Sequence, residues 1–204
     1  KKEFVESFSN REGLYVGQKR KQNRLDESWD NYKNGTFHEY EFVSEPDTDF
    51  VLAPNQEWAK GIRSTWMKKK GDEINPIPVV VGGEDLYSDR EVVNCIDKSQ
   101  LKENIICGAY TKSSVEDLKK AVDIASEDLD GWRQLSINDR HEILSQAAIE
   151  VRKHRGDLIG VAAAEVGKVF TETDVEVSEA VDFLEFYPHS IRYFEDHKNL
   201  RFKG

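Results

Sequence analysis

The stretch Glu165-Val166-Gly167-Lys168-Val169-Phe170-Thr171-Glu172-Thr173-Asp174-Val175-Glu176-Val177-Ser178-Glu179-Ala180-Val181-Asp182-Phe183-Leu184-Glu185-Phe186-Tyr187 decides how the chain is read. Gly167 stops a short apolar helix over 157–166, because glycine takes the left-handed conformation that ends helices. The run Val161-Ala162-Ala163-Ala164 in that helix lets neighbouring backbones approach closely. A further helix is predicted from Thr171 or Thr173, carrying Val177, Ala180, Val181, Leu184 and Tyr187. Pro188 is expected to kink or break it, since proline lacks the amide donor and crowds the preceding turn. Five carboxylates, Glu172, Asp174, Glu176, Glu179 and Asp182, crowd this helix. A charge run of that kind reads first as a solvated face.

Upstream the same period continues. Ser113 with Glu116 reads as a capping box, followed by Val115, Leu118, Val122, Ala125 and Leu129 at spacings of three and four, with Gly131 as the stop. Ser136 and Asp139 start a second helix with Leu144, Ala147, Ala148 and Val151 inward, ending in Lys153, His154, Arg155 and Gly156. Before these helices, Ile77-Pro78-Val79-Val80-Val81-Gly82 reads as a short strand that Pro78 confines to an edge or a strand start. Residues 91–96 and 104–110 are further strand candidates, forming a hairpin or meander. A helix is predicted from Asn55 as N-cap, with Trp58, Ile62 and Trp66 on one face and Lys68-Lys69-Lys70-Gly71 at its C-terminal end. Residues 45–54, with Pro46 and Pro54, read as an extended linker, and residues 1–35 as a solvated or partly ordered leader.

Composition narrows the class. The 204 residues carry a net charge of −10, and 33% of them are charged. Residues 1–35 have a balance of +2, so the remainder carries −12. No nucleic-acid partner is expected from such a chain. No apolar run approaches the roughly 20 residues needed to cross a bilayer. Lys1-Lys2-Glu3 lacks the apolar region of a secretory signal, so the chain is expected in the cytoplasm and Asn34-Gly35-Thr36 reads as a chance glycosylation match in a turn. Cys95 and Cys107 cannot build a disulfide framework.

Most routes to chemistry close at this stage. His38, His141, His154, His189 and His197 lack the paired spacing of a zinc helix. Neither a nucleophile elbow nor a P-loop occurs. Gly82-Gly83 precedes Glu84 and Asp85, which would repel phosphate, so a turn is the expected role. Cys107, in Ile105-Ile106-Cys107-Gly108-Ala109-Tyr110, and Cys95, in Val92-Val93-Asn94-Cys95-Ile96, read as buried structural thiols rather than nucleophiles.

Several of these segments, taken in order, carry a resemblance. Ala121-Val122-Asp123-Ile124-Ala125, Gly131-Trp132, Arg140-His141-Glu142-Ile143-Leu144, Glu165-Val166-Gly167-Lys168 and Glu176-Val177-Ser178-Glu179-Ala180-Val181-Asp182-Phe183 together resemble the N-terminal part of the aldehyde dehydrogenase superfamily. The stretch from Glu165 to Phe186-Tyr187 looks most like Δ1-pyrroline-5-carboxylate dehydrogenase, also called L-glutamate γ-semialdehyde dehydrogenase, and Ile77–Gly83 is similar to that family's first strand. Residues 42–58 resemble the junction of bifunctional proline-catabolic enzymes, where a proline dehydrogenase barrel precedes the aldehyde dehydrogenase half.

The resemblance implies an α/β fold: a helix-rich N-terminal portion of the aldehyde dehydrogenase fold with a few edge strands and the Rossmann sheet largely missing. It divides the chain into 1–41, a leader or the end of a preceding half; 42–72, a junction and first helix; and 73–204, the start of the cofactor and oligomerisation region. The family's catalytic cysteine, general-base glutamate and Rossmann glycines are expected downstream of Gly204, so the chain alone is expected to be inactive. In the whole enzyme the resemblance implies thiolate attack on a small aldehyde, NAD as acceptor, and release of glutamate. A homo-oligomer is expected. No cofactor is expected on this chain, and FAD only if a proline dehydrogenase half precedes it. Glu179 matches a glutamate near that family's substrate pocket, where a carboxylate could pair with the substrate ammonium; the alternative is a helix-surface salt bridge. A non-catalytic helical assembly module is the competing reading of the whole chain.

Overall fold

The computed structural model describes residues 19–29, 42–68, 74–100 and 104–196. Asn34-Gly35-Thr36, Lys69–Gly71, His38 and His197 lie outside the described residues. The order of elements is α1 (Ala53–Lys68), β1 (Val79–Val81), β2 (Glu84–Leu86), β3 (Val92–Ile96), β4 (Ile106–Thr111), α2 (Val115–Glu127), α3 (Ile137–Lys153), α4 (Arg155–Glu165) and α5 (Phe170–Asp196). The fold is α/β and helix-rich. Among the described residues the strands form two separate antiparallel pairs, β1 with β2 and β3 with β4.

The turns behave as glycine chemistry dictates. Gly82 and Gly83, at φ 62° and 81°, join β1 to β2 as a two-residue hairpin. A Cβ on Gly82 would stand 2.8 Å from Ile124 Cδ1, so α2 packs directly on this turn. Gly167, at φ 79°, ends α4 as expected.

Helix boundaries differ from the sequence expectation in several places. The box at α2 is Ser114 with Asp117, one residue beyond Ser113 and Glu116. Ser114 Oγ accepts from the Asp117 amide at 3.1 Å, and the Asp117 carboxylate accepts from the Ser114 amide at 2.8 Å and from Arg90 Nη2 at 2.6 Å. That third partner, distant in sequence, fixes the register. Helix α2 stops at Asp128, not Gly131, because Asp128 itself takes the left-handed conformation at φ 52°. The Ser136–Asp139 box of α3 stands as predicted. Its end is Lys153: Arg155 and Gly156 belong to α4, and His154 at the joint leaves helical geometry at ψ 10°.

Helix α1 begins at Ala53, ahead of the predicted cap. Asn55 is fully buried inside it, accepting from the Arg24 amide at 2.8 Å and donating to Asp49 O at 3.0 Å. Its amide is spent on tertiary structure and not on the helix end. The Trp58, Ile62 and Trp66 face docks on α4. Gly156 and Gly160, one turn apart, make the close approach: a Cβ on Gly160 would sit 2.0 Å from Trp66 Cδ1. The alanine run does less of this work than expected, with only Ala164 of that run buried.

Helix α5 starts at Phe170 and runs unbroken through Pro188 to Asp196. Proline removes one donor and one bond of the ladder. Contacts with α3 continue on both sides of it: Ser145 Oγ donates to Glu185 Oε2 at 2.9 Å, and Arg192 Nη1 lies 3.3 Å from His141 Nδ1. Val177 and Val181 are the buried apolar positions of α5, with Leu184 half-buried; Ala180 and Tyr187, read as inward, face solvent.

Candidate functional site

The carboxylates of α5 do not form one uniform solvated face; the fold sorts them. Asp174 is 1% exposed and closes a buried ionic network. Its Oδ1 accepts from Arg155 Nη1 at 2.9 Å and from Thr48 Oγ1 at 2.6 Å, and its Oδ2 accepts from the Thr48 amide at 2.6 Å. Arg155 also donates to Ser178 Oγ at 3.1 Å and to Glu45 Oε1 at 2.9 Å. Arg152 Nε donates to Glu45 Oε2 at 2.9 Å and its Nη1 to Glu185 Oε1 at 3.2 Å. Arg24 extends the network, donating to Thr48 Oγ1 at 2.9 Å and Pro46 O at 2.7 Å. The predicted linker is therefore a strap tied down across α3, α4 and α5, and part of the predicted leader is anchored beneath it.

The other acidic groups divide cleanly. Asp182 Oδ1 accepts from the Glu45 amide at 2.6 Å. Glu176 is ion-paired with Lys168 Nζ. Glu172 and Glu179 are exposed, and among the described residues neither side chain meets an ion-pair or hydrogen-bond partner. The surface ion pair weighed for Glu179 is thus absent among the described residues.

Glu179 differs from Glu172 in its aromatic neighbours along α5. One and two turns toward the C-terminus stand Phe183 and Tyr187, exposed by 50% and 58%. Their rings stack with centroids 5.7 Å apart at 30°. Phe186 meets Tyr187 edge-on at 5.8 Å and Phe42, ahead of the strap, at 5.2 Å. A carboxylate beside an open aromatic ladder suits a small cation with an aliphatic body. The carboxylate was legible from the sequence only through resemblance. The aromatic ladder was missed, although Phe183 and Tyr187 at a spacing of four were its signal.

The remaining candidates are not brought to this surface. Cys95 and Cys107 neighbour each other on the β3–β4 hairpin, half-buried rather than fully buried, with Cys107 Sγ 3.5 Å from Cys95 O. Burial raises both thiols above their ordinary pKa, with the Glu165 carboxylate adding to it at Cys95 and the Asp97 and Glu165 carboxylates at Cys107, the reverse of what activates a nucleophile. His141 is buried, and its pKa is lowered by burial first and by Arg192 second, against an opposing pull from Glu185. His154 sits on the surface near Glu150 and Asp157. Among the described residues no three His, Cys, Asp or Glu groups converge as a metal site would. A dinucleotide cradle needs a strand that turns through glycines directly into a helix N-terminus. Gly82-Gly83 turns instead into a strand led by Glu84 and Asp85, so this turn does not fit such a cofactor.

Comparison with known proteins places this geometry. The model of the aldehyde dehydrogenase family matches residues 87–202, more than half of the chain. The chain belongs to the aldehyde dehydrogenase family. It is similar to 1-pyrroline-5-carboxylate dehydrogenase from Staphylococcus aureus (strain MW2), 31% identical over 153 residues that cover 74% of this chain and 28% of that protein. Its fold is similar to 1-pyrroline-5-carboxylate dehydrogenase from Thermus with bound NAD, at TM-score 0.67 and 22% identity over 80% of this chain and 31% of the other. It is also similar to proline utilization A (PutA) from Bdellovibrio bacteriovorus inactivated by N-propargylglycine, at TM-score 0.67 and 22% identity over 75% of this chain and 15% of that one. The chain spans under a third of the length of the curated relatives it matches, 28% and 29% for two of them.

Proposed function

We propose that the chain is part of an NAD-dependent dehydrogenase that oxidises L-glutamate γ-semialdehyde, the open form of pyrroline-5-carboxylate, to glutamate in proline catabolism. The names of the matched relatives support the reaction, and the NAD-bound Thermus neighbour supports the acceptor. The observation in the chain itself that carries the reading is Glu179, an exposed carboxylate on α5 left outside the network that occupies Asp174 and Asp182. Its role is to hold the α-ammonium of the substrate, so that the aldehyde end is presented at a fixed distance along the helix.

The division into a leader over 1–41, a junction with the first helix over 42–72 and the start of the cofactor and oligomerisation region over 73–204 accompanies this reading, as do a homo-oligomeric state and a cytoplasmic location. Among the described residues no helix is long and apolar enough to cross a membrane. The test is NADH formation by the purified full-length protein. Turnover of glutamate semialdehyde well above that of simple aliphatic aldehydes is expected; equal turnover of both, or none, contradicts the reading.

A further inference from the structure

The residue one turn beyond Glu179 has a role that the core does not require of it. Phe183 lies at i+4 on the same face of α5 and is 50% exposed, while the buried apolar positions of α5 are Val177 and Val181. The ring is not loose. Tyr187 stacks on it at 5.7 Å, and Phe186 and Phe42 continue the cluster behind Tyr187. Side chains on a helix lean toward its N-terminus, so Phe183 is braced from the Tyr187 side and leans over the turn that carries Glu179. An aromatic face carries partial negative charge and attracts an ammonium within about 6 Å.

We propose that Phe183 is a specificity-determining residue: its ring face and the Glu179 carboxylate together receive the α-ammonium of an amino-acid aldehyde, selecting it over an aldehyde of the same length that lacks the amino group. This inference rests on the proposed function and adds the residue that discriminates between substrates. The two groups divide the task by physics. The carboxylate supplies the charge, which water and salt screen at an open surface. The ring removes water from one side of the ammonium and accepts its charge without competing for hydrogen bonds.

The test uses the full-length enzyme and two substrates, glutamate semialdehyde and 5-oxopentanoate, which lacks the amino group. Phe183→Leu is expected to raise KM for the amino-bearing substrate roughly 3- to 10-fold with kcat little changed, and to leave 5-oxopentanoate unaffected. Phe183→Trp, which keeps a ring face, restores the wild-type KM. An equal effect of Phe183→Leu on both substrates, or no effect on either, overturns the proposal. Should the leucine variant fail to fold, fluorinated phenylalanines at 183 keep the shape and weaken the ring face; KM rising with fluorination supports the proposal and a flat series overturns it. Glu179→Gln separates the two readings. Selectivity lost on Glu179→Gln but kept on Phe183→Leu overturns the role of Phe183 alone, whereas a wild-type enzyme indifferent to the amino group overturns the proposed function as well.

Discussion

At the residue scale, the fates of Asp174 and Asp182 on α5 were set by partners distant in sequence. Asp174 and Glu179 are the same kind of group five residues apart, yet one is locked against Arg155 and Thr48 while the other faces solvent. No local pattern distinguishes them, because the strap residues Glu45 and Thr48 that decide the matter lie more than a hundred positions away. His141 makes the same point with a measurable consequence. Its pKa is lowered in the folded protein, by burial first and then by Arg192, while Glu185 pulls the other way and His189 adds to the lowering. The unfolded chain therefore binds this proton more readily, starting near the ordinary value of about 6.5. The contribution of His141 to stability is fully present above that pH and declines as pH falls toward the lowered folded value. A His141→Gln variant is expected to lose part of the fall in urea midpoint that sets in as pH drops below about 6.5; an unchanged slope contradicts this. The raised thiols predict slow alkylation of Cys95 and Cys107 at neutral pH, measurable with iodoacetamide on the native protein; rates matching a free thiol contradict it.

At the element scale, much of the fold was legible. The Gly82-Gly83 turn, the β3–β4 pair, the Ser136 cap, the Gly167 stop and the Trp58, Ile62 and Trp66 face arise from local chemistry and periodicity, whereas the short strand Glu84–Leu86 that pairs back on β1 carried no such signal. The misreadings share one cause, tertiary partners overriding a local signal. Asn55 was drawn from capping into the core by Arg24 and Asp49, Ser114 was chosen over Ser113 by Arg90, and Pro188 was carried through by contacts to α3 on either side. The contact between α1 and α4 is the sharpest element-level prediction. Alanine at Gly160 is the better helix former by about 1 kcal/mol, but its Cβ would stand 2.0 Å from the Trp66 indole. Forcing such a contact typically costs about 1–3 kcal/mol. Gly160→Ala is therefore expected to lower the urea midpoint, and Gly160→Ala with Trp66→Leu to recover part of the loss; a stabilising single substitution contradicts this packing.

At the scale of the whole molecule, the buried Arg24–Thr48–Asp174–Arg155–Glu45–Arg152–Glu185 network ties the strap and part of the leader to the helical layer. Removing one partner from such a network leaves an uncompensated buried charge, and the cost is about 3–5 kcal/mol. Arg155→Ala is expected to destabilise the protein by that amount in chemical denaturation, far more than loss of the surface pair Lys60–Glu57; equal small effects contradict it. Val115, Leu118, Val122 and Leu129, the apolar series of the α2 region, stand open to solvent, each more than half exposed. The network holds α5 in place, and α5 presents Glu179 free of it. The decisive measurement is the ratio of kcat/KM for glutamate semialdehyde to that for 5-oxopentanoate in the full-length enzyme, before and after Glu179→Gln. A fall in this ratio of roughly tenfold, the size of one charge-assisted contact, is the predicted result; a ratio that Glu179→Gln leaves unchanged contradicts the role assigned to this carboxylate.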